Sequence, residues 1–125
     1  MSKTPPPLRE DVPLVVQLAD AQLRAYNARD IDAFCACFHD QVIVLDADGQ
    51  RNMEGIESFR ERYAVLFGFA DVRADIVGRV VHPPHLIEHE LYSRKRTDDD
   101  AAESGAVLVR YTEREGKLAV VQFWS

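Results

Sequence analysis

Apolar positions in the first part of the chain recur at helical spacing, and those in the second half alternate. Leu14, Leu18, Ala21 and Ala25 follow one another at steps of four, three and four, which predicts an amphipathic helix closed by Tyr26 and Asn27. Asp11 is placed to cap it, with Pro13 in the first turn, where proline is tolerated. Ala28-Arg29-Asp30 is a tight connection, and Asp30 can cap a second, short helix with Ile31, Phe34, Cys35 and Phe38 on one side. Gln41 to Asp46 reads as a strand, Ala47-Asp48-Gly49-Gln50 as a hairpin turn, and Arg51 to Met53 as a short return strand. Ile56, Phe59, Tyr63, Leu66 and Phe67 mark a third helix over Gly55 to Phe67, ended by Gly68. Strands follow over Asp71 to Val81 and Leu86 to Arg96, broken by Pro83-Pro84. A polar tip from Thr97 to Gly105 leads to a last hairpin, Ala106 to Thr112 and Lys117 to Trp124, turning at Arg114-Glu115-Gly116. Three helices followed by an antiparallel meander predict an α+β layer fold, with the helices on one face of a curved sheet.

The 125 residues fit one domain, and residues 1–10, with Pro5-Pro6-Pro7, read as a flexible arm before a domain over 11–125. Fifteen basic residues stand against 21 acidic ones, a net charge of -6. The one basic run, Arg94-Lys95-Arg96, is followed at once by Asp98-Asp99-Asp100, so nucleic acid is a poor partner. No apolar run approaches the roughly 20 residues of a membrane span, and no secretory signal opens the chain, so a cytoplasmic location is expected. Cys35 and Cys37 are too close for an unstrained disulfide. With His39 they suggest a metal site, but on a helix positions i and i+2 face opposite ways, so the expectation is two unpaired thiols and no metal or other cofactor. His82 and His85 flank the proline turn without partners at ligand spacing.

Several local strings in this order resemble the nuclear transport factor 2-like superfamily, in its branch of SnoaL-like polyketide cyclases and ketosteroid isomerase. They are Tyr26-Asn27-Ala28-Arg29-Asp30-Ile31-Asp32-Ala33-Phe34, then Phe38-His39-Asp40, Gly55 to Tyr63, Ile87-Glu88-His89-Glu90, and the closing Tyr111, Gly116-Lys117-Leu118 and Phe123. The resemblance spans about Val12 to Trp124. It implies a cone, three N-terminal helices packed on a strongly curved, mainly antiparallel sheet, with an apolar pocket at the open end. It also implies a homodimer, for which Val107, Val109, Val121 and Phe123 are expected to form the outward face.

The superfamily has no single activity, so individual residues must decide. By the resemblance, Asp46 matches the aspartate general base of ketosteroid isomerase, at the end of the first strand. Gln22 and Leu108 stand where that enzyme carries the two acids that hold the developing oxyanion, which speaks against genuine steroid isomerisation. His89 lies between Ile87 and Leu91 on an apolar strand face, is expected to point into the pocket, and would serve as an acid. Tyr26, Phe59, Tyr63 and Trp124 are candidate pocket aromatics for a flat apolar ligand. Three readings remain open: a proton-transfer enzyme of isomerase, cyclase or dehydratase type acting on a small carbonyl compound, a non-catalytic ligand-binding or dimerisation module, and a protein-interaction module like the transport factor for which the superfamily is named.

Overall fold

The computed structural model describes residues 11–125. The arm expected over residues 1–10 lies outside them. Helix α1 (Leu14–Ala28) starts after Pro13, whose carbonyl accepts from the Val16 and Gln17 amides; Asp11 does not cap it. The buried stripe of α1 is Val15, Ala19 and Gln22 with Val16 and Ala25, so the expected stripe is rotated: Leu14 is 45% exposed. Arg29, left-handed at φ 56°, ends the helix, and the Asp30 carboxylate accepts from Ala33 N to start α2 (Ile31–Cys35). Phe38 is not helical but opens strand β1 (Phe38–Leu45). The Asp48-Gly49 turn leads to β2 (Arg51–Glu54), and α3 (Ile56–Phe67) follows Gly55, whose φ of 90° suits glycine.

The remaining chain is a meander of β3 (Asp71–His82), β4 (His85–Lys95), β5 (Glu103–Arg114) and β6 (Lys117–Trp124). The six strands form one sheet ordered β2-β1-β6-β5-β4-β3, antiparallel except for the parallel pair β1–β6. Irregular register in β1 between Phe38 and Ile43, and in β3 between Ile76 and Gly78, bends the sheet around the helices. The helices cover one face, giving the curved α+β architecture that the resemblance implies.

Phe34 of α2 anchors the core. Its ring stacks on Phe59 at 5.7 Å and packs against Tyr26, Phe38, Tyr63 and Phe67 at 4.8 to 6.1 Å. Fully burying one such ring contributes about 1.5–3 kcal/mol. Asn27 ties α1 to the sheet edge: its amide donates to Ala74 O at 3.0 Å and accepts from Ala74 N at 2.8 Å. That pairing satisfies backbone groups on β3, whose outer edge no strand covers.

Two expectations about strand faces are reversed. Val109 and Val121 are buried in the core, and Val107 and Phe123 face the interior, so the four residues expected on an outward face point inward. On β4 the face of Leu86, Glu88, Glu90 and Tyr92 turns toward the helices, which leaves Ile87, His89 and Leu91 on the outer surface. The apolar look of that second face misleads, because the inner face carries the Glu88 carboxylate, which Arg79 on the neighbouring strand accommodates.

Candidate functional site

At the open end of the cone lies a cavity of about 930 Å³. Its base is apolar, formed by Phe34, Phe38, Phe59, Val107, Val121 and Phe123. The phenols of Tyr26 from α1, Tyr63 from α3 and Tyr111 from β5 converge on one wall, beside the buried carboxamide of Gln22. Glu90 of β4 supplies a carboxyl to the same wall. Gln22 Nε2 donates to Ala19 O at 3.1 Å, which fixes its side chain against α1.

Glu90 makes no hydrogen bond or ion pair with any described residue. Burial first, and then the nearby Glu88 charge, push its pKa up from 4.5 to about 7. Near neutrality it is thus present as both acid and base, the condition for efficient proton transfer. The phenols answer the same environment. Burial, then the Glu90 charge, pushes Tyr26 up to about 12, and burial drives Tyr63 and Tyr111 well above the usual phenol range. All three stay protonated at neutral pH and can donate to a ligand oxygen.

Behind Glu90, Glu88 is only 1% exposed. Arg79 Nε donates to its Oε2 at 3.0 Å, and an Arg79 terminal nitrogen reaches both Glu88 and, at 2.8 Å, Asp20 of α1. Burial outweighs the Arg79 charge and raises the Glu88 pKa, and Glu88 Oε1 has no hydrogen-bond partner. Arg79 and Glu88 face each other across the β3–β4 hairpin, three pairs in from the His82–His85 closure at Pro83-Pro84.

The expected site residues divide into two groups. Gln22, Tyr26, Phe59 and Tyr63 line the cavity together. Trp124, Leu108 and His89 are neighbours too, side by side across β6, β5 and β4, but on the opposite face of the sheet. Leu108 is 43% exposed and His89 is exposed, so neither lines the cavity. Counting along β5 places Leu108 one residue off the inner face; the inward positions beside it are Val107 and Val109, which cannot donate, and Tyr111, which can. Asp46 follows β1 and closes its hairpin: its carboxylate accepts from Asp48 N and Gln50 N, each at 2.9 Å. It does not line the cavity.

Sequence reading missed Glu90 and Tyr111. A signal for the correct face was present in the hairpin itself. Folding residues 79 to 88 about Pro83-Pro84 sets Arg79 opposite Glu88, and a paired carboxylate can be buried where a lone one cannot. No group of three or more His, Cys, Asp or Glu among the described residues is arranged to hold a metal ion. Cys37 Sγ instead donates to Ala33 O at 3.6 Å, and burial raises both thiol pKa values. No described helix is long and apolar enough to cross a membrane.

Comparison with known proteins places this geometry. No curated protein matches the chain. An uncharacterized cystatin-fold protein from Novosphingobium aromaticivorans is 24% identical, with a TM-score of 0.81 over 91% of this chain and 99% of its own. A Δ5-3-ketosteroid isomerase from Mycobacterium sp. is 14% identical, with a TM-score of 0.79 over 91% of this chain and 94% of its own. An LEH-like epoxide hydrolase of M. tuberculosis is 12% identical, with a TM-score of 0.76 over 88% and 80%. At these identities the likenesses establish the fold. The SnoaL-like domain model matches residues 19–124, from the middle of α1 to the last residue of β6, and on that match this chain belongs to the SnoaL-like domain family.

Proposed function

We propose that the cavity binds a small, largely apolar compound bearing a carbonyl or similar oxygen and acts on it by proton transfer. Glu90 is the group that exchanges the proton, and the phenols of Tyr26, Tyr63 and Tyr111 donate to the substrate oxygen. In the simplest step, Glu90 removes a proton from the carbon next to the carbonyl, the enolate oxygen is held by phenol O–H groups, and Glu90 returns the proton to that carbon or, where a β,γ double bond extends the enolate, to the far end of the dienolate. The single observation that carries this reading is the Glu90 carboxyl, unpaired on the cavity wall beside three phenols, with its pKa pushed up to about 7. Neighbours of the same fold described as an isomerase and an epoxide hydrolase support the acid–base class.

The test is solvent-deuterium exchange into cyclic ketones, followed by NMR, with the wild type and Glu90→Gln. Exchange that disappears in the variant while ketone binding persists supports the reading. Binding without exchange in either protein favours a non-catalytic ligand-binding module. The expectation against steroid isomerisation no longer rests on Leu108, so a 3-keto-5-ene steroid belongs in the same panel.

The outer sheet face supports a homodimer, though through residues other than the four valine and phenylalanine positions expected from the sequence. Leu91 and Leu108 are 42% and 43% exposed there, next to Trp124, and Val80 is 64% exposed. Pairing two such faces would remove this apolar surface from water. Two free, buried cysteines support residence in a reducing compartment, the cytoplasm.

A further inference from the structure

The mouth of the cavity is chemically unlike its base. Arg62 from α3, Arg94 from β4 and Arg96 just beyond it line the same opening. Nearly every other described arginine is engaged by an oxygen: Arg29 by Phe69 O, Arg51 by Glu54, Arg60 by Asp32, Arg73 by Asp75, Arg79 by Glu88, and Arg110 by Gln122. Among the described residues only Arg24, Arg62, Arg96 and Arg114 make no hydrogen bond or ion pair to an oxygen, and two of these four line the cavity.

Asp100 and Glu103, two acids of the lining, each have a partner. Glu103 accepts from Arg94 Nε at 3.2 Å, and Asp100 accepts from Thr97 N at 3.1 Å. Asp98 and Asp99, which the sequence suggests cancel the basic run, do not line the cavity. Glu90 lies on the wall and is partly protonated near neutrality. The Arg96 guanidinium sits 5.1 Å from the centre of the Phe69 ring, a stacking contact that holds the group in place and leaves its N–H edge free. Two guanidiniums without an oxygen partner, Arg62 of α3 and Arg96 just beyond β4, therefore line an apolar chamber, in a chain whose overall charge of -6 would otherwise repel anions.

Building on the reading of this cavity as a ligand site, we propose that its natural ligands are amphipathic anions: an apolar, ring-containing body held in the base, and a carboxylate or similar anionic group received by Arg62 and Arg96 at the mouth.

Two fluorescent probes that share one skeleton test this. N-phenyl-1-naphthylamine is neutral, and 8-anilinonaphthalene-1-sulfonate adds an anionic group. Each is titrated into the wild type, into Arg62→Gln/Arg96→Gln, and into Val107→Trp, which fills the base. The wild type is expected to bind the sulfonate about 10-fold more tightly than the neutral probe, as a charge-assisted contact implies. The double arginine variant should bring the two probes to within about 2-fold, with the neutral probe unchanged. Equal affinities in the wild type, or a preference that survives the double variant, overturn the proposal and leave the cavity reading standing. Sulfonate binding that survives Val107→Trp places the probe elsewhere and also overturns it. If neither probe binds the wild type, the cavity reading fails and this proposal with it.

Discussion

Glu88 and Glu90 project from the same face of one strand, and only Glu88 has a cation beside it. Arg79 holds the deeper carboxyl, while the shallower one meets the cavity with the Glu88 charge as its neighbour. This asymmetry sets a paired carboxyl and an unpaired one within three residues of chain.

The Glu90 carboxyl makes stability depend on pH in a definite sense. Its pKa is raised from 4.5 to about 7, so between those values the folded protein holds a proton that the unfolded chain releases. Stability should therefore fall as pH rises through this window and level off above it. The full shift corresponds to about 3 kcal/mol, reduced to about 1–3 because the group borders an open cavity. Urea unfolding at pH 5 and pH 8 should show Glu90→Gln gaining on the wild type at pH 8. Equal slopes for the two proteins would reject the assignment. Glu88, raised in the same direction, contributes equally to both and drops out of the comparison.

Arg79→Met should destabilise the protein by about 3–5 kcal/mol, because it strands the buried Glu88 charge. Adding Glu88→Met should recover most of that loss, since two apolar side chains can replace a buried ion pair at little cost. Denaturant midpoints of the two single variants and the double variant form the required cycle.

Tyr92 lies across Gly105 on the neighbouring strand. A Cβ at residue 105 would stand 2.6 Å from Tyr92 Cζ. Gly105→Val should therefore displace the Tyr92 ring from the cavity wall, lower stability by about 1–3 kcal/mol, and weaken neutral-probe binding. Tyr92→Ala in the same background should restore stability, as read from thermal midpoints.

The outer-face pairing predicts that Leu108→Glu lowers the molar mass measured by light scattering from two chains to one, with helix content retained by circular dichroism. A monomeric wild type at micromolar concentration would remove the dimer from consideration.

The element order was legible because the helical and alternating periods are strong, and Asp-Gly, Pro-Pro and Glu-Gly mark three turns. The aromatic lining was legible as well: Tyr26, Phe59 and Tyr63 sit on helix stripes that must face the sheet. The polar part of the site was not. Alternation tells which residues share a strand face but not which face is buried, and on β4 the more apolar face turned out to be the outer one. The shift from His89 to Glu90 is one residue long and reverses the chemistry. Asp46 failed for a local reason, since its turn takes up the carboxylate that a base would need free.

The parallel seam between β1 and β6 sets the order in which the molecule can assemble. Residues 71–124 form a meander of neighbouring antiparallel strands, able to zip hairpin by hairpin. The β1–β2 hairpin borders no other strand until β6 arrives between it and β5. A chain still short of residues 117–124 therefore leaves one edge of β1 without its strand partner. Completion of the sheet and closure of the cavity wall that Val121 and Phe123 provide are the same event, so a chain stalled before that strand has neither.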